Sequence, residues 1–507
     1  MTMHVSYPSS DKLLQELRQT PDSSLDFILL ESASVPCLEQ CIRALKEGGL
    51  LFLQGQPKSL PEIGVFLDGR LTFKYWIAVE STPMPTSGLP TVHGAILLFC
   101  KGARFDINKT RFPHLYCAFC GKTLRDWGGK THLMHPDGCA ISDVWTGLDA
   151  MDTIMCMLPD GKGIIGPSDG QETRTRACQL SLFPESQVEN ELGSDMVNIV
   201  HCGDAIRTLR RYPDNCVDLV FADPPYNLKK LYSACDDAWD EPKYIAWCNE
   251  WLAEYVRVLK PTGSLYVLNL PRWAMYHAAF LNTHLCFQNW IVWDALSEPM
   301  GKLMPAHYAL LFYTKHPTDF TFNYEQVGEL DSREYCLRAS CIRKRKAEGA
   351  DKKEPLTDIW SDIHRIRHPR DRDHHPCQLP DVLMERIITL SSNEGDIVLD
   401  ALSGTGTTAV TAAGLGRRYV AMDIDKSYVT LTRKKIAEIE SRGCIQRTST
   451  EKPKRDFTKK ELQLELRDLA SKLGRLPTPD DVRNPEVFLA VFPTWGKAIK
   501  AAKLEVR

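Results

Sequence analysis

Short apolar runs alternate with amphipathic stretches through the second half of the chain. Residues 217–222, 264–269, 289–294, 308–313, 396–400 and 419–422 are mostly apolar and bounded by turn-forming residues, the pattern of buried strands. Residues 244–259 and 380–391 instead repeat their apolar positions at helical spacing. Strands alternating with helices predict an α/β fold, a parallel or mixed sheet with helices on both faces.

The pattern echoes itself. Pro21-Asp22-Ser23-Ser24-Leu25-Asp26-Phe27 aligns with Pro213-Asp214-Asn215-Cys216-Val217-Asp218-Leu219 at an offset of 192 residues. Leu45, Gly49, Phe73, Trp76 and His93 then match Leu259, Gly263, Phe287, Trp290 and His307 at an offset of 214, and Asp143 and Trp145 match Asp358 and Trp360 at 215. Rare residues recurring in one order predict a duplicated domain. The expected organisation is a first copy over 1–155, a linker over 156–195, a second copy over 196–442, a linker over 443–457 and a small helical module over 458–507.

A chain of 507 residues is too long for one ordinary core, which agrees with that division. No apolar run is long enough to span a bilayer, and the first residues lack a secretory pattern, so no membrane association and a cytoplasmic location are expected. Seventeen scattered cysteines do not read as a disulfide framework; reduced thiols and one metal site fit better. A net charge of −3 excludes coating nucleic acid by bulk charge, but Arg343-Lys344-Arg345-Lys346 and the stretch 364–375 are locally basic.

Candidate chemistry lies at two places in the second copy. Asp223-Pro224-Pro225-Tyr226 follows the run VDLVFA. An exocyclic amine is a poor nucleophile because its lone pair is delocalised; two acceptors on its hydrogens favour the geometry that frees it. Asp223 can take one hydrogen and the Pro224 carbonyl the other, pre-aimed because proline fixes φ near about −65°. Tyr226 offers a flat face for an extruded base. The other reading is a strand-ending turn.

The second place is Asp400-Ala401-Leu402-Ser403-Gly404-Thr405-Gly406-Thr407-Thr408, a strand end leading into a helix, with the next strand ending at Asp423, 23 residues after Asp400. Gly404 and Gly406 would let a ligand approach the backbone, and an acid at that separation suits a ribose diol. A nucleoside-bearing cofactor is expected. A nicotinamide dehydrogenase is the competitor, but its third glycine is missing, as is the Gly-Lys-Ser/Thr of a phosphate loop.

These motifs resemble the amino-methyltransferases of restriction-modification systems, in the permuted arrangement called the beta class. The resemblance covers about residues 196–440: Asp223-Pro224-Pro225-Tyr226 precedes the glycine loop, His375-Pro376-Cys377-Gln378-Leu379-Pro380 lies just before it, and Gly203-Asp204-Ala205 opens the copy. It implies a Rossmann-like methyltransferase sheet that transfers a methyl group from S-adenosylmethionine to a flipped base in double-stranded DNA. Asp204, Pro376, Gln378, Asp400, Ser403 to Thr408 and Asp423 would hold the cofactor, and Asp223 to Tyr226 the base. Adenine N6 is expected because Asp opens the motif; N4 of cytosine and a catalytically silent DNA-binding regulator are the alternatives. A cognate restriction endonuclease is a further expected partner. The family's usual Asp-Pro-Phe reads Asp400-Ala401-Leu402 here.

In the first copy Glu31 replaces Asp223, Ser32-Ala33-Ser34 replaces Pro-Pro-Tyr, and Lys12 stands for Asp204. It is expected to be catalytically dead and to act as an internal pseudo-subunit. Its Cys117-Ala118-Phe119-Cys120 resembles half of a zinc knuckle. His132, His135 and Cys139 could complete it, or Cys336 and Cys341 of the second copy. DNA recognition is expected from about 320–372, through Arg343, Lys344, Arg345, Lys346, Arg365 and Arg367. The tail, with Pro493-Thr494-Trp495-Gly496, resembles the helical repeat found beside homing endonucleases.

Overall fold

The structure, a computed structural model, describes residues 3–124, 132, 134–167, 189–228, 238–295, 302–327, 329–336, 338–363, 366, 378–442, 459–473, 475–482, 488, 492, 494–502 and 504. It divides into two compact units, Met1–Ile445 and Gln446–Arg507. Among the described residues no helix is long and apolar enough to cross a membrane.

The larger unit is built on two mixed sheets. The carboxyl-terminal sheet has the order Ile199–Cys202, Arg418–Asp423, Ile397–Asp400, Val217–Ala222, Leu259–Asn269, His307–Thr314, Cys286–Asp294 and Ile359–Trp360. Its central strands are apolar at consecutive positions because helices cover both faces; Val217, Leu219, Val220, Phe221 and Ala222 are all buried. Every neighbouring pair runs parallel except those made by His307–Thr314, which is antiparallel to both neighbours.

The amino-terminal sheet has the order His4–Ser6, Lys162–Gly166, Leu25–Leu30, Leu45–Gly55, Thr91–Cys100, Thr72–Met84 and Val144–Trp145. This is the order of the other sheet with one strand fewer: Arg418–Asp423 has no counterpart among the described residues. Local details recur as well. The ladder from Leu25–Leu30 to Leu45–Gly55 shifts register between Leu25 and Phe27, and its equivalent between Val217 and Leu219. Ser23 and Asn215 share a positive φ, 50° and 54°. Lys101 Nζ donates to the carbonyls of Ile42 and Leu45, as Lys315 Nζ does to those of Val256 and Leu259.

The two sheets meet through reciprocal contacts. Trp76 and Trp290 stack face to face with centroids 3.8 Å apart. Asp358 accepts the Val92 N–H at 2.9 Å and lies 3.6 Å from His93; Asp143 accepts the Ala306 N–H at 2.7 Å and lies 3.1 Å from His307. Helix Leu60–Leu67 packs on helix Pro271–Leu281, where Asn282 donates to Glu62 and Tyr276 to Asp68. Each of these contacts is matched by a second made in the opposite sense, the pattern seen where surfaces meet across a two-fold axis. One of its buried clusters runs across both halves, from Leu13 through Trp76 and Trp290 to Val420.

Two expected boundaries change. The linker expected to begin at 156 starts later: Ala150–Met157 is a helix, and Lys162–Gly166 is a strand beside Leu25–Leu30, tied there by the Lys162 N–H on Asp26 at 2.8 Å. Its glycines and short length hid it. The regions 1–155 and 196–442 also share one compact unit instead of forming two, because the seam between them buries tryptophans, not polar surface.

The described residues of the smaller unit include helices Lys459–Leu473 and Trp495–Ala501 and a 3-10 turn, Pro479–Asp481. Leu462, Leu466, Val482, Phe488, Phe492 and Ala498 form its core. Asp481 closes a capping box with Thr478 and pairs with Arg475 at 2.6 Å, while Trp495 Nε1 donates to the Pro477 carbonyl.

Candidate active site

The carboxyl-terminal ends of three parallel strands, Val217–Ala222, Ile397–Asp400 and Arg418–Asp423, point into one cavity of about 620 Å³. This is where open α/β sheets bind ligands, since the loops leaving adjacent strands diverge there. Asp204, Asp223, Pro224, Pro225, Tyr226, Gln378, Asp400, Ser403, Gly404, Thr405, Thr407, Thr408 and Asp423 all line it. Pro376, Arg365 and Arg367 lie outside the described residues.

The Asp223 loop is tied at three points. Tyr226 Oη donates to Asp223 Oδ1 at 2.6 Å, Tyr244 Oη donates to the Pro225 carbonyl at 2.6 Å, and Trp273 Nε1 donates to the Tyr226 carbonyl at 2.9 Å. Asn269 in turn donates to Tyr244 Oη, and its amide lies 2.9 Å from His277 Nε2. Tyr226 is only 4% exposed, its ring centroid 5.7 Å from that of Tyr308, so any face it offers a ligand is the one toward the cavity.

The glycine loop is organised from within. Asp400 is buried and accepts from the Leu402 N–H at 3.0 Å and the Thr408 hydroxyl at 2.6 Å, while the Ala401 N–H donates to Tyr255 Oη. Its carboxylate therefore shapes the loop. Complete burial, with the Asp423 charge adding to it, pushes Asp400 up to about 7 against the pull of those bonds. Asp423 Oδ2 accepts the Gly404 N–H at 2.8 Å and Oδ1 the Asp425 N–H at 2.7 Å. Burial raises Asp423 to about 6, opposed by those two N–H bonds and helped by repulsion from Asp425. Asp204 caps helix Ala205–Leu209 through the Arg207 N–H at 2.8 Å.

Gly406 departs from expectation. It is outside the cavity wall, at φ 78°, and a Cβ there would fall 2.2 Å from Thr432 Cγ2 on helix Lys426–Arg442. Its smallness serves helix packing, not ligand approach. The cavity also gains residues that the motifs do not mark: Trp239, Trp247, Lys243, Ile424 and Tyr428. Trp247 sits at a helical apolar position and reads as core, whereas Ile424 directly follows Asp423, and that adjacency is its signal in the sequence; its 56% exposure is seen only in the folded protein.

Charge distribution narrows the ligand. Among the described residues the wall carries six aspartates, at 204, 223, 240, 400, 423 and 425, and one lysine, Lys243. A pyrophosphate would meet repulsion there; a cation would not.

Beyond the cavity, Arg343, Lys344 and Lys346 are exposed on helix Ala339–Glu348, as a DNA contact requires. Arg345 is not. Its side chain is fully buried against Asp351 at 3.0 Å and Cys341 Sγ at 3.3 Å, so it cannot reach a phosphate, because it lies one helical turn after Cys341 on the inward face of that helix. Cys117, Cys120, Cys336 and Cys341 converge to within 4.8 Å of one another. His132 and His135 are instead exposed, and the Cys139 thiol points to the Phe112 carbonyl.

Residues 217–434 match the family described as DNA methylase, and residues 457–505 that described as homing endonuclease associated repeat. The chain is 37% identical over 241 residues to the type II methyltransferase M.BamHI of Bacillus amyloliquefaciens, covering 46% of this chain and 56% of that protein, little more than half its length. It is 33% identical over 246 residues to the DNA adenine methyltransferase YhdJ of Escherichia coli (strain K12), covering 47% of this chain and 82% of that one. Among solved structures, the PvuII DNA methyltransferase (cytosine-N4-specific) matches at 17% identity and a TM-score of 0.35, over 48% of this chain and 91% of the other.

Proposed function

We propose, on the premise that the chain belongs to the N6/N4 DNA methylase family, that it transfers a methyl group from S-adenosylmethionine to the exocyclic amine of a base in double-stranded DNA. One observation carries the reading: the Asp223 loop and the glycine loop, far apart in sequence, wall the same acidic cavity.

The residues fit the cofactor. A volume of about 620 Å³ is in the range of small-molecule sites, and the excess of carboxylates suits a sulfonium cation. When bound, S-adenosylmethionine supplies an electrophilic methyl group. Asp423, raised to about 6 by burial and so ionised at neutral pH, accepts ribose hydroxyls; Ser403, Gly404, Thr405, Thr407 and Thr408 offer the loop's polar groups; Asp204 and Gln378 complete the polar wall; Trp239 and Ile424 add apolar surface. Asp223 and the Pro224 carbonyl accept the hydrogens of the target amine, and the tied loop keeps both aimed before the base arrives. A base reaches that depth only out of its stack, so base flipping is part of the reading.

Adenine N6 is the preferred target, supported by the Asp that opens the motif and by the likeness to an enzyme named for adenine. The amino-terminal half is read as a degenerate copy standing where a second subunit would: Glu31 and Ser32 to Ser34 occupy the end of its strand Leu25–Leu30, and no glycine loop accompanies its sheet among the described residues. Arg343, Lys344 and Lys346 contact DNA phosphates, and the repeat over 457–505 adds a further DNA contact.

Incubation of purified protein and labelled cofactor with duplex DNA, followed by chromatography of the digested nucleosides, tests this directly. N6-methyladenine is expected; N4-methylcytosine would move the target to cytosine. Labelling that survives Asp223→Ala refutes the site.

A further inference from the structure

A second group of reactive side chains lies at the seam between the two halves. Cys117 and Cys120 come from a tight turn of the amino-terminal half: the Gly121 N–H donates to the Cys117 carbonyl at 2.9 Å, the Cys117 N–H to the Lys122 carbonyl at 2.7 Å, and Gly121 has φ 67°. Cys336 and Cys341 flank the start of helix Ala339–Glu348 in the other half. The four Sγ atoms all lie within 4.8 Å of one another, with cross-seam separations of 3.8 Å for Cys117 and Cys341 and 3.6 Å for Cys120 and Cys336.

Those separations discriminate between chemistries. A disulfide needs sulfurs about 2.05 Å apart. Thiolates bonded to zinc at about 2.3 Å lie about 3.8 Å apart along a tetrahedron edge. The surroundings are equally specific. The buried Arg345 guanidinium donates to Cys341 Sγ at 3.3 Å and to the Cys336 carbonyl at 3.2 Å, and is itself oriented by Asp351. Four thiolates on one divalent cation leave two negative charges, and a buried guanidinium is placed to offset part of them. Phe119, Leu124 and Tyr335 close the cluster from solvent.

We propose that Cys117, Cys120, Cys336 and Cys341 form a structural zinc site that clasps the two halves together. Four protein ligands leave no open position for a substrate, so the role is structural. Thiolate softness selects zinc over magnesium or calcium. As each S–H gives its proton to solvent, its sulfur lone pair forms the bond to the metal; nothing is oxidised or reduced. The clasp also fixes the base of the helix that exposes Arg343, Lys344 and Lys346, while the Ala118 N–H on the Glu334 carbonyl at 3.0 Å and Arg338 on the Thr123 carbonyl at 2.6 Å continue the seam. The site is independent of the methyl-transfer reading.

Full-length protein made in zinc-supplemented medium and purified without chelator tests it by elemental analysis. About one zinc per chain is expected, released in step with mercurial modification of thiols. Protein loaded with cobalt(II) should show the absorption of a tetrahedral thiolate complex, absent from Cys336→Ser and retained in Cys156→Ser, whose thiol is exposed elsewhere. Arg345→Gln should keep the four ligands but weaken metal affinity about 10–100-fold. Folded wild-type protein with neither zinc nor the cobalt band overturns the proposal, as does full zinc content in a Cys117→Ser/Cys336→Ser variant.

Discussion

Replacing Gly406 by alanine separates the two reasons a glycine can be required. At φ 78° a β-carbon costs about 1–2 kcal/mol, because it crowds the following carbonyl. The new Cβ would also stand 2.2 Å from Thr432 Cγ2, 2.3 Å from Oγ1 and 2.7 Å from Cβ. Carbon atoms pack at about 3.5–4.0 Å, so helix Lys426–Arg442 must shift, which costs about 1–3 kcal/mol when a core is overfilled. Together the two terms give about 2–5 kcal/mol. Thr432→Ala removes the two shortest contacts and leaves the backbone term untouched. The double variant should therefore regain about 1–2 kcal/mol of what Gly406→Ala loses, the remainder being strain at φ and the 2.7 Å contact with the residue 432 Cβ that alanine keeps. Chemical unfolding of all four proteins, followed by calorimetric titration of each with S-adenosylmethionine, measures the cycle. A Gly406→Ala protein with wild-type unfolding midpoint and cofactor affinity, or a cycle with zero coupling, would falsify the packing account.

Other consequences concern pH and the Asp223 loop. Asp423 and Asp400 are raised in the folded protein to about 6 and 7, so the unfolded chain binds fewer protons than the folded one between about pH 4 and 7. Stability without ligand should therefore fall as pH rises through that window, the reverse of the usual carboxylate behaviour. Cofactor binding that uses ionised Asp423 should tighten as pH rises to about 6 and level off above it, with proton release on binding below that pH. Calorimetry in buffers of different ionisation enthalpy reads this, and affinity that is flat from pH 5 to 7.5 sinks the assignment. Tyr226→Phe removes the hydroxyl that orients Asp223 and should lower kcat about 10–100-fold, with cofactor affinity unchanged. Equal loss of cofactor binding would instead mean that the tyrosine supports the whole cavity.

Much of this was written locally. The strands over 217–222 and 419–422 are fixed by consecutive apolar residues, and Asp223-Pro224-Pro225-Tyr226 and the loop from Asp400 to Thr408 follow strands at positions that a linear reading can find. Tertiary structure decided what those residues do. Gly404 and Gly406 look alike in sequence, yet only the packing of a helix some twenty residues onward shows that Gly406 is needed for Thr432. Asp400 and Asp423 are both acids at strand ends lining the cavity, but folding encloses Asp400 with the Thr408 hydroxyl and sets Asp423 under the Gly404 N–H, so both brace the loop. Arg345 sits in a basic run indistinguishable from its neighbours; helical phase alone turned it inward to the cysteines. Sequence records residue types and spacing along the chain. Burial, charge environment and contacts between distant segments come into being only when both sheets close on one seam, and those set the chemistry.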